Sequence, residues 1–183
     1  MRLSSNKVYL RGPGPEDRDS LIALYRSSRQ HFRRYANYHF DSERFDAMLR
    51  DAALESNEYF VICRRGDDAI VGTLTLSQIF RKSFQNAYLG YQLFAGYTGC
   101  GYMTEAVDRA LRRAFRDLGL HRIEANVQPG NKPSIAILIR NGFTKEGFSR
   151  RYLKINGKWC DHERWAILKE DWLTGKRNGR NEP

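Results

Sequence analysis

The chain has 183 residues, with 31 Lys+Arg against 21 Asp+Glu for a formal charge of +10, and is 41% hydrophobic and 13% aromatic. That composition excludes a disordered chain and matches one packed domain that folds without disulfides or metal. The longest purely apolar run, residues 135–139, is far shorter than the roughly 20 residues of a membrane span.

The N-terminal stretch MRLSSNKVYL has no apolar core of the length a signal peptide needs. Cys63, Cys100 and Cys160 are odd in number and widely spaced, which is neither a disulfide framework nor a zinc pattern. They suit a reducing compartment, so a cytoplasmic protein is expected. Cys160-x-His162 offers two ligands, too few for a metal site.

Residues 7–11 read as a short strand. Pro15 opens a helix carrying Leu21, Ile22, Leu24 and Tyr25, because the missing proline N–H is not needed at a first helical position. Asp41 is placed to cap a second helix, whose Phe45, Met48, Leu49 and Ala52 fall at helical spacing. Residues 59–64 and 69–79 are rich in β-formers, and the turn Arg65-Gly66-Asp67-Asp68 joins them as an antiparallel hairpin. Residues 86–94 form a further strand. A glycine-rich loop, 95–101, then leads into a long helix with Met103, Val107, Ala110, Leu111, Ala114 and Leu118 on one apolar stripe. Gly119 ends it as a left-handed cap.

A strand over 121–127, a loop over 128–132, and a short helix over 134–141 behind Pro133 follow. Residues 143–155 and 158–168 are two strands joined at Asn156-Gly157, a pair that accepts the positive φ of a tight hairpin turn. This mixed order predicts an α+β fold: one domain over 5–173 with a mixed central sheet of about seven strands and helices packed on it. Residues 174–183 read as a polar tail that frays.

Positive charge gathers in two places. Residues 140–158 hold Arg140, Lys145, Arg150, Arg151, Lys154 and Lys158 against Glu146 alone, and Arg26, Arg29, His31, Arg33 and Arg34 form a second cluster. Each reads as a solvated basic face, or as a surface for nucleic acid, a phosphorylated cofactor or an RNA-rich particle.

The chemistry sits in two local patterns. The first is strand, then Gly96-Tyr97-Thr98-Gly99-Cys100-Gly101, then helix. Glycines let the backbone turn tightly and approach a ligand, and the unpaired N–H groups of a helix start favour phosphate. The loop lacks the Lys-Ser/Thr ending of a nucleotide-triphosphate loop and the spacing of a dinucleotide fold. The second is Asn131-Lys132-Pro133-Ser134 followed by Asn141-Gly142-Phe143. Simple helix capping accounts for Asn131 and Ser134 on spacing alone.

The chain resembles the GNAT superfamily of acetyl-CoA-dependent N-acetyltransferases. Within it, the likeness is to the RimJ/RimL group, which acetylates the N-termini of ribosomal proteins. The matching segments are Tyr97-Thr98-Gly99-Cys100-Gly101-Tyr102-Met103-Thr104-Glu105-Ala106, His121-Arg122-Ile123-Glu124-Ala125-Asn126-Val127, Asn131-Lys132-Pro133-Ser134 and Asn141-Gly142-Phe143 with Glu146-Gly147 behind it. Asp161-His162 and Asp171-Trp172 fit as well. The likeness implies helices on both faces of the sheet and a splayed strand pair that admits pantetheine. It implies that backbone N–H groups of Gly99, Cys100, Gly101, Tyr102, Met103 and Thr104 hold the coenzyme A diphosphate. Backbone of Gln92, Leu93 and Phe94 would pair with pantetheine as an added strand does. Asn131 and Ser134 would touch pantetheine and its sulfur, and Arg140 an adenosine phosphate. The chain departs from the family in three places. Gly96 stands where Gln or Arg is usual, Cys100 where a basic residue is common, and Arg151 where some relatives carry a carboxylate before the tyrosine matching Tyr152.

The resemblance implies direct attack of an amine on the thioester, with acetyl-CoA as co-substrate and no metal. Ser134 is the expected donor to the departing thiolate, and a strand N–H near Leu93 the donor to the oxyanion. Glu105 and Glu124 are candidate bases; Glu105 also reads as a first-turn carboxylate favoured by the helix dipole, and Glu124 as the partner of an arginine. Tyr91 and residues 80–83 are expected to line the acceptor side, with Tyr91 read equally as core; His31, Phe32 and Tyr35 read first as a helix end, and otherwise as a further wall. An α-amino group, pKa ~7.7–8.0, loses its proton far more cheaply near neutrality than a lysine at ~10.4. The expected acceptor is therefore a protein N-terminus, displayed for instance on a ribosome. A small amine (antibiotic, polyamine or amino acid) and a non-catalytic RNA- or CoA-binding module remain open alternatives.

Overall fold

The structure, a computed structural model, describes residues 6–33, Tyr35 and 39–175. Among these residues, seven strands form one sheet in the order β1-β2-β3-β4-β5-β7-β6. They are β1 (Val8–Arg11), β2 (Glu58–Arg64), β3 (Ile70–Phe80), β4 (Asn86–Leu93), β5 (Arg122–Val127), β6 (Thr144–Ile155) and β7 (Lys158–Leu168). Among the described residues, six α-helices flank it: α1 (Arg18–Ser27), α2 (Arg29–Phe32), α3 (Ser42–Ala52), α4 (Tyr102–Arg112), α5 (Lys132–Arg140) and α6 (Lys169–Thr174). Every strand pair is antiparallel except β4–β5. This is the mixed α+β architecture expected from the order of elements.

Two apolar layers hold the helices to the sheet. One joins α4, α5 and α6 to the sheet through Leu74, Leu76, Met103, Val107, Leu111, Phe115, Ile123, Leu138 and Trp172. The other packs α1 to α3 on the opposite face through Leu21, Tyr25, Phe32, Phe45, Val61 and Phe94. Each fully buried large side chain contributes about 1.5–3 kcal/mol, so helix placement is set by these stripes rather than by local propensity. The α4 stripe matches the sequence periodicity. The chain then winds through one wider turn, Arg113–Asp117, with Leu118 N–H bonding Arg113 C=O, before Gly119 closes it at φ 67°. That turn rotates Phe115 into the core.

Local chemistry explains the other boundaries. Asp41 Oδ1 accepts the Arg44 N–H at 3.0 Å and caps α3. Pro15 opens a single tight turn, Pro15–Asp17, and α1 begins after it at Arg18. The buried Asp17 carboxylate accepts both terminal nitrogens of Arg11 and the Gly14 N–H. The Arg11 guanidinium holds its pKa below the usual carboxylate range. Asn156 and Gly157 take φ 52° and 79° in the β6–β7 turn, as the hairpin requires.

The tail expected over 174–183 falls largely outside the described residues. Thr174 ends α6, Gly175 caps it at φ 66°, and residues 176–183 lie outside the described residues. Arg34 of the second basic cluster also lies outside them.

One feature of the sheet positions the site. β4 and β5 pair only through 86–88 against 122–124, although both strands run on for several residues. Beyond Tyr88 and Glu124 they part, leaving a V open at its upper end.

Candidate active site

The parity of β4 decides which of its groups face the V. Phe94 N–H bonds Val71 C=O at 2.9 Å, and Gln92 pairs with Thr73 across the same ladder. Alternation along an antiparallel ladder turns the N–H and C=O of residues 90, 92 and 94 toward β3, and those of Tyr91 and Leu93, with the Leu89 C=O, into the V. Of the three backbone contacts expected for pantetheine, Leu93 is therefore placed to make one. Phe94 is corrected: its N–H is committed to Val71, and its ring is fully buried in the α1–α3 layer. Gln92 lines the site through its side chain. Its Oε1 is buried and carries no hydrogen bond.

A cavity of about 1230 Å³ runs through the V and reaches both faces of the sheet. That exceeds the roughly 300–1,000 Å³ of a typical small-ligand site, leaving room for a cofactor arm and an acceptor together. On one side it is lined by Gly99, Gly101, Tyr102, Met103 and Thr104, together with Asn131, Ser134 and Arg140. On the other lie Tyr25, His31, Phe32, Tyr35, His39 and Phe40.

The glycine loop has the predicted backbone. Gly96, Gly99 and Gly101 sit at φ 89°, 78° and 81°. Gly101 leads directly into α4, so the N–H groups of Tyr102, Met103 and Thr104 have no partner within the helix. A Cβ added at Gly99 would meet open space, so the restriction there is φ, not room. Cys100 does not line the cavity; its Sγ turns back to Thr98 C=O, and its own C=O accepts Lys7 Nζ at 3.0 Å. Sequence reading missed this lysine. It brings a cation to the glycine loop from a strand end some 90 residues away, which local spacing does not reveal.

Ser134 occupies the first turn of α5. Its N–H is capped by Asn131 Oδ1 at 3.3 Å, and its Oγ lies 2.8 Å from the Tyr91 hydroxyl. Tyr91 also donates to the Ser134 C=O at 3.2 Å. Burial pushes the Tyr91 hydroxyl well above its ordinary pKa, against a smaller lowering by Ser134, so it stays protonated at physiological pH. This pair can deliver a proton and does not serve as a base.

Glu105 lies elsewhere. Its carboxylate accepts the Lys7 and Val8 N–H groups at 3.1 and 3.4 Å and pairs with Arg109 at 2.8 Å, tying α4 to the edge strand β1. It does not line the cavity, so the geometry does not bring it to Ser134 and Tyr91 as a base. Glu105→Ala is expected to cost about 1–3 kcal/mol, because two strand N–H groups and Arg109 lose their acceptor. Thermal melting and steady-state turnover check this; the expected result is a lower Tm with kcat within about threefold. Glu124 pairs with Arg122 at 2.8 Å, as its plainer reading held.

The acceptor side is aromatic and poor in acid. Tyr25 stacks on Phe40 at 4.1 Å and meets Phe94 edge-on at 5.0 Å. Tyr35 donates to Gly130 C=O at 2.8 Å, and its own C=O accepts Gln128 Nε2 at 2.9 Å, which clasps the β5–α5 loop. Asp51 is the one carboxylate among the described lining residues, beside Arg44, Arg140 and three histidines.

Comparison with known proteins agrees with this geometry. Residues 7–144 match the acetyltransferase (GNAT) domain family. The chain is 37% identical over 177 residues to the probable N-acetyltransferase YjcK of Bacillus subtilis, covering 92% of this chain and 98% of that one. It is 40% identical over 118 residues to the [ribosomal protein uS5]-alanine N-acetyltransferase of Escherichia coli, covering 64% of this chain and 61% of that one. Mycobacterium smegmatis RimJ, solved in complex with CoA-disulfide, superposes with TM-score 0.82 at 30% identity over 90% of this chain and 83% of that one. The chain belongs to the GNAT acetyltransferase family and is an N-acetyltransferase. Acetyl-CoA is the family's acyl donor, and the positive-φ glycines, orphan N–H groups and parted strands are features that fit it. No described helix is long and apolar enough to cross a membrane.

Proposed function

We propose that the protein transfers an acetyl group from acetyl-CoA to the N-terminal α-amino group of a protein, with a ribosomal protein as the favoured acceptor. The observation that carries this is the lone carboxylate, Asp51, among the described lining residues of the cavity. A polyamine with several ammonium groups needs several counter-charges, whereas a peptide N-terminus presents one amine on a neutral backbone. The relative that acts on ribosomal protein uS5 supports the same acceptor class. Membership of an acetyltransferase family sets aside a purely non-catalytic RNA-binding role.

In this reading the diphosphate lies on the N–H groups from Gly99 to Thr104, and pantetheine pairs with the edge at Leu89, Tyr91 and Leu93. Leu93 N–H meets the thioester oxygen, and Ser134, backed by Tyr91, meets the sulfur. The acceptor enters from the aromatic face. The exposed Arg26, Arg29, His31 and Arg33 near that entrance favour an acceptor displayed beside RNA phosphate.

A peptide panel tests the proposal. Peptides with free N-terminal alanine or serine should be acetylated at least about tenfold faster than spermidine or than N-blocked peptides containing lysine. Faster acetylation of spermidine would overturn the acceptor assignment.

A further inference from the structure

We infer that His162 is the general base of this acetyltransferase, taking the proton from the acceptor nitrogen at its Nε2. The inference rests on the amine-transfer chemistry of the family and not on which amine is the acceptor.

Register places His162 beside the reacting atoms. β4 and β5 run in parallel with Tyr88 opposite Glu124; continued at the same height, Gln92 faces Gln128. β5 and β7 pair with Val127 opposite Glu163, so Gln128 is level with His162. The three residues form one row across the mouth of the V, next to Leu93. Side-chain parity puts them on one face. Tyr91, Val127 and Trp165 pack in the α4–α5 layer or against it, so Gln92, Gln128 and His162 point to the opposite, acceptor face. His162 lines the cavity from there and is 3% exposed. Neighbouring strands lie about 5 Å apart, so the imidazole stands one strand spacing from the V, within reach of an amine directly or through one water.

Its tautomer is set by its neighbour. His162 Nδ1 lies 3.0 Å from the Cys160 C=O. A carbonyl only accepts, so Nδ1 carries the hydrogen and the neutral ring keeps its lone pair on Nε2. The β6 bulge opposite supports the ring. The register breaks between Ser149 and Leu153, where Arg151 takes φ 47° and donates its N–H to Asp161 Oδ1 at 2.7 Å. Tyr152 is thereby brought to 6.0 Å from the imidazole.

The other charged or titratable groups on this face are the following. Cys160 and Arg164 belong to β7, Arg122 and Glu124 to β5, Arg151 and Tyr152 to β6, and Tyr88 to β4, while Asp161 of β7 points to the other face. His31, His39, Arg44 and Asp51 line the cavity from the helical side. Arg122, Glu124 and Glu146 are paired with one another, and Asp161 is held by Arg151 N–H.

The step balances as follows. The amine lone pair forms the C–N bond to the thioester carbon, and the C–S bond breaks with its electron pair on sulfur. One N–H proton passes from the acceptor nitrogen to His162 Nε2. Sulfur takes a proton through Ser134, and the imidazolium returns its proton to solvent, which restores the Ser134–Tyr91 pair. One amine and one thioester give one amide and one thiol.

The test compares wild type, His162→Asn and His162→Gln with an alanine-starting peptide and with spermidine, recording kcat from pH 5.5 to 9.5. Asparagine keeps a donor near Nδ1 for the Cys160 carbonyl, and glutamine keeps the reach of Nε2. Wild-type kcat is expected to fall toward the acid end of that range, as a reaction that needs an unprotonated base does. Both variants should lose about 10²-fold or more in kcat and lose that limb, with rate rising steadily to high pH. Full kcat with an unchanged acid limb in either variant overturns the inference. So does a uniform loss that leaves the limb in place, which marks a structural histidine. Wild-type protein that acetylates neither amine overturns the amine-transfer reading along with it. Acetylation of spermidine alone, with the predicted pH behaviour, overturns the peptide acceptor and supports His162.

Discussion

Ser134→Ala is expected to lower kcat by about 10²-fold while leaving acetyl-CoA dissociation within about threefold. A positioned proton donor contributes roughly 10²–10⁴ to a rate, and a thiolate, whose parent thiol has pKa ~8.5, needs less help than an alkoxide. That puts the effect at the low end. Binding should survive because the diphosphate contacts lie on another element, the 99–104 loop and helix start. Folding should survive too: the Ser134 N–H keeps its cap on Asn131, and the Tyr91 hydroxyl keeps the Ser134 C=O as acceptor. The net stability loss is about 1 kcal/mol. Tyr91→Phe should show a smaller loss in kcat, since it removes the group behind the donor. Steady-state kinetics with a separate acetyl-CoA binding isotherm check both. Equal turnover in Ser134→Ala would remove the serine from the mechanism.

Gly72→Val should do the most damage for its size. Gly72 faces Leu93 across β3–β4, and a Cβ there would lie 2.4 Å from the Gln92 carbonyl oxygen and 3.3 Å from Leu93 Cα. Those are backbone atoms, so β4 itself has to move. Overpacking of this kind costs about 1–3 kcal/mol, or roughly 3–10 °C in Tm for a chain this long. The displacement falls at the residue whose N–H faces the V, where a shift of 1 Å costs about 10²-fold in rate. Gly90→Ala is the control. Nothing lies within 4 Å of its added Cβ, so stability should hold. Its methyl projects from the acceptor face of β4 into the cavity, and KM for the acceptor should rise severalfold while acetyl-CoA binding stays unchanged. Calorimetry and kinetics on the two variants separate the V from the rest of the sheet.

The elements that local chemistry controls were legible in the sequence. The α4 stripe, the Asp41 cap, the Asn156-Gly157 turn and the glycine loop each depend on residues a few positions apart, and each appears where periodicity and turn chemistry put it. Contacts that span the chain were not legible. Glu105 looks from sequence like a first-turn carboxylate or a base. Its carboxylate is in fact taken by backbone N–H groups of Lys7 and Val8, far away in the chain. Phe94 looks like part of the cofactor edge. Only the register with β3 reveals that its N–H points the other way. α6 has six residues, too few to form alone, and exists because Trp172 packs on Phe115 at 5.5 Å. His162 stood in a recognised motif without a role, and its role depends on three strands lining up in one row. Parity along 90–94 was the one available signal that would have separated Leu93 from Phe94 beforehand.

The central claim is that the parted strands and the glycine turn form one cradle for acetyl-CoA, with its sulfur at Ser134. A crystal structure with the non-hydrolysed cofactor tests it most directly. The account predicts the diphosphate on the N–H groups of residues 99–104, pantetheine along the free edge of Leu89, Tyr91 and Leu93, and sulfur within hydrogen-bonding distance of Ser134 Oγ. A diphosphate bound away from the loop, or a sulfur turned from Ser134, would contradict it.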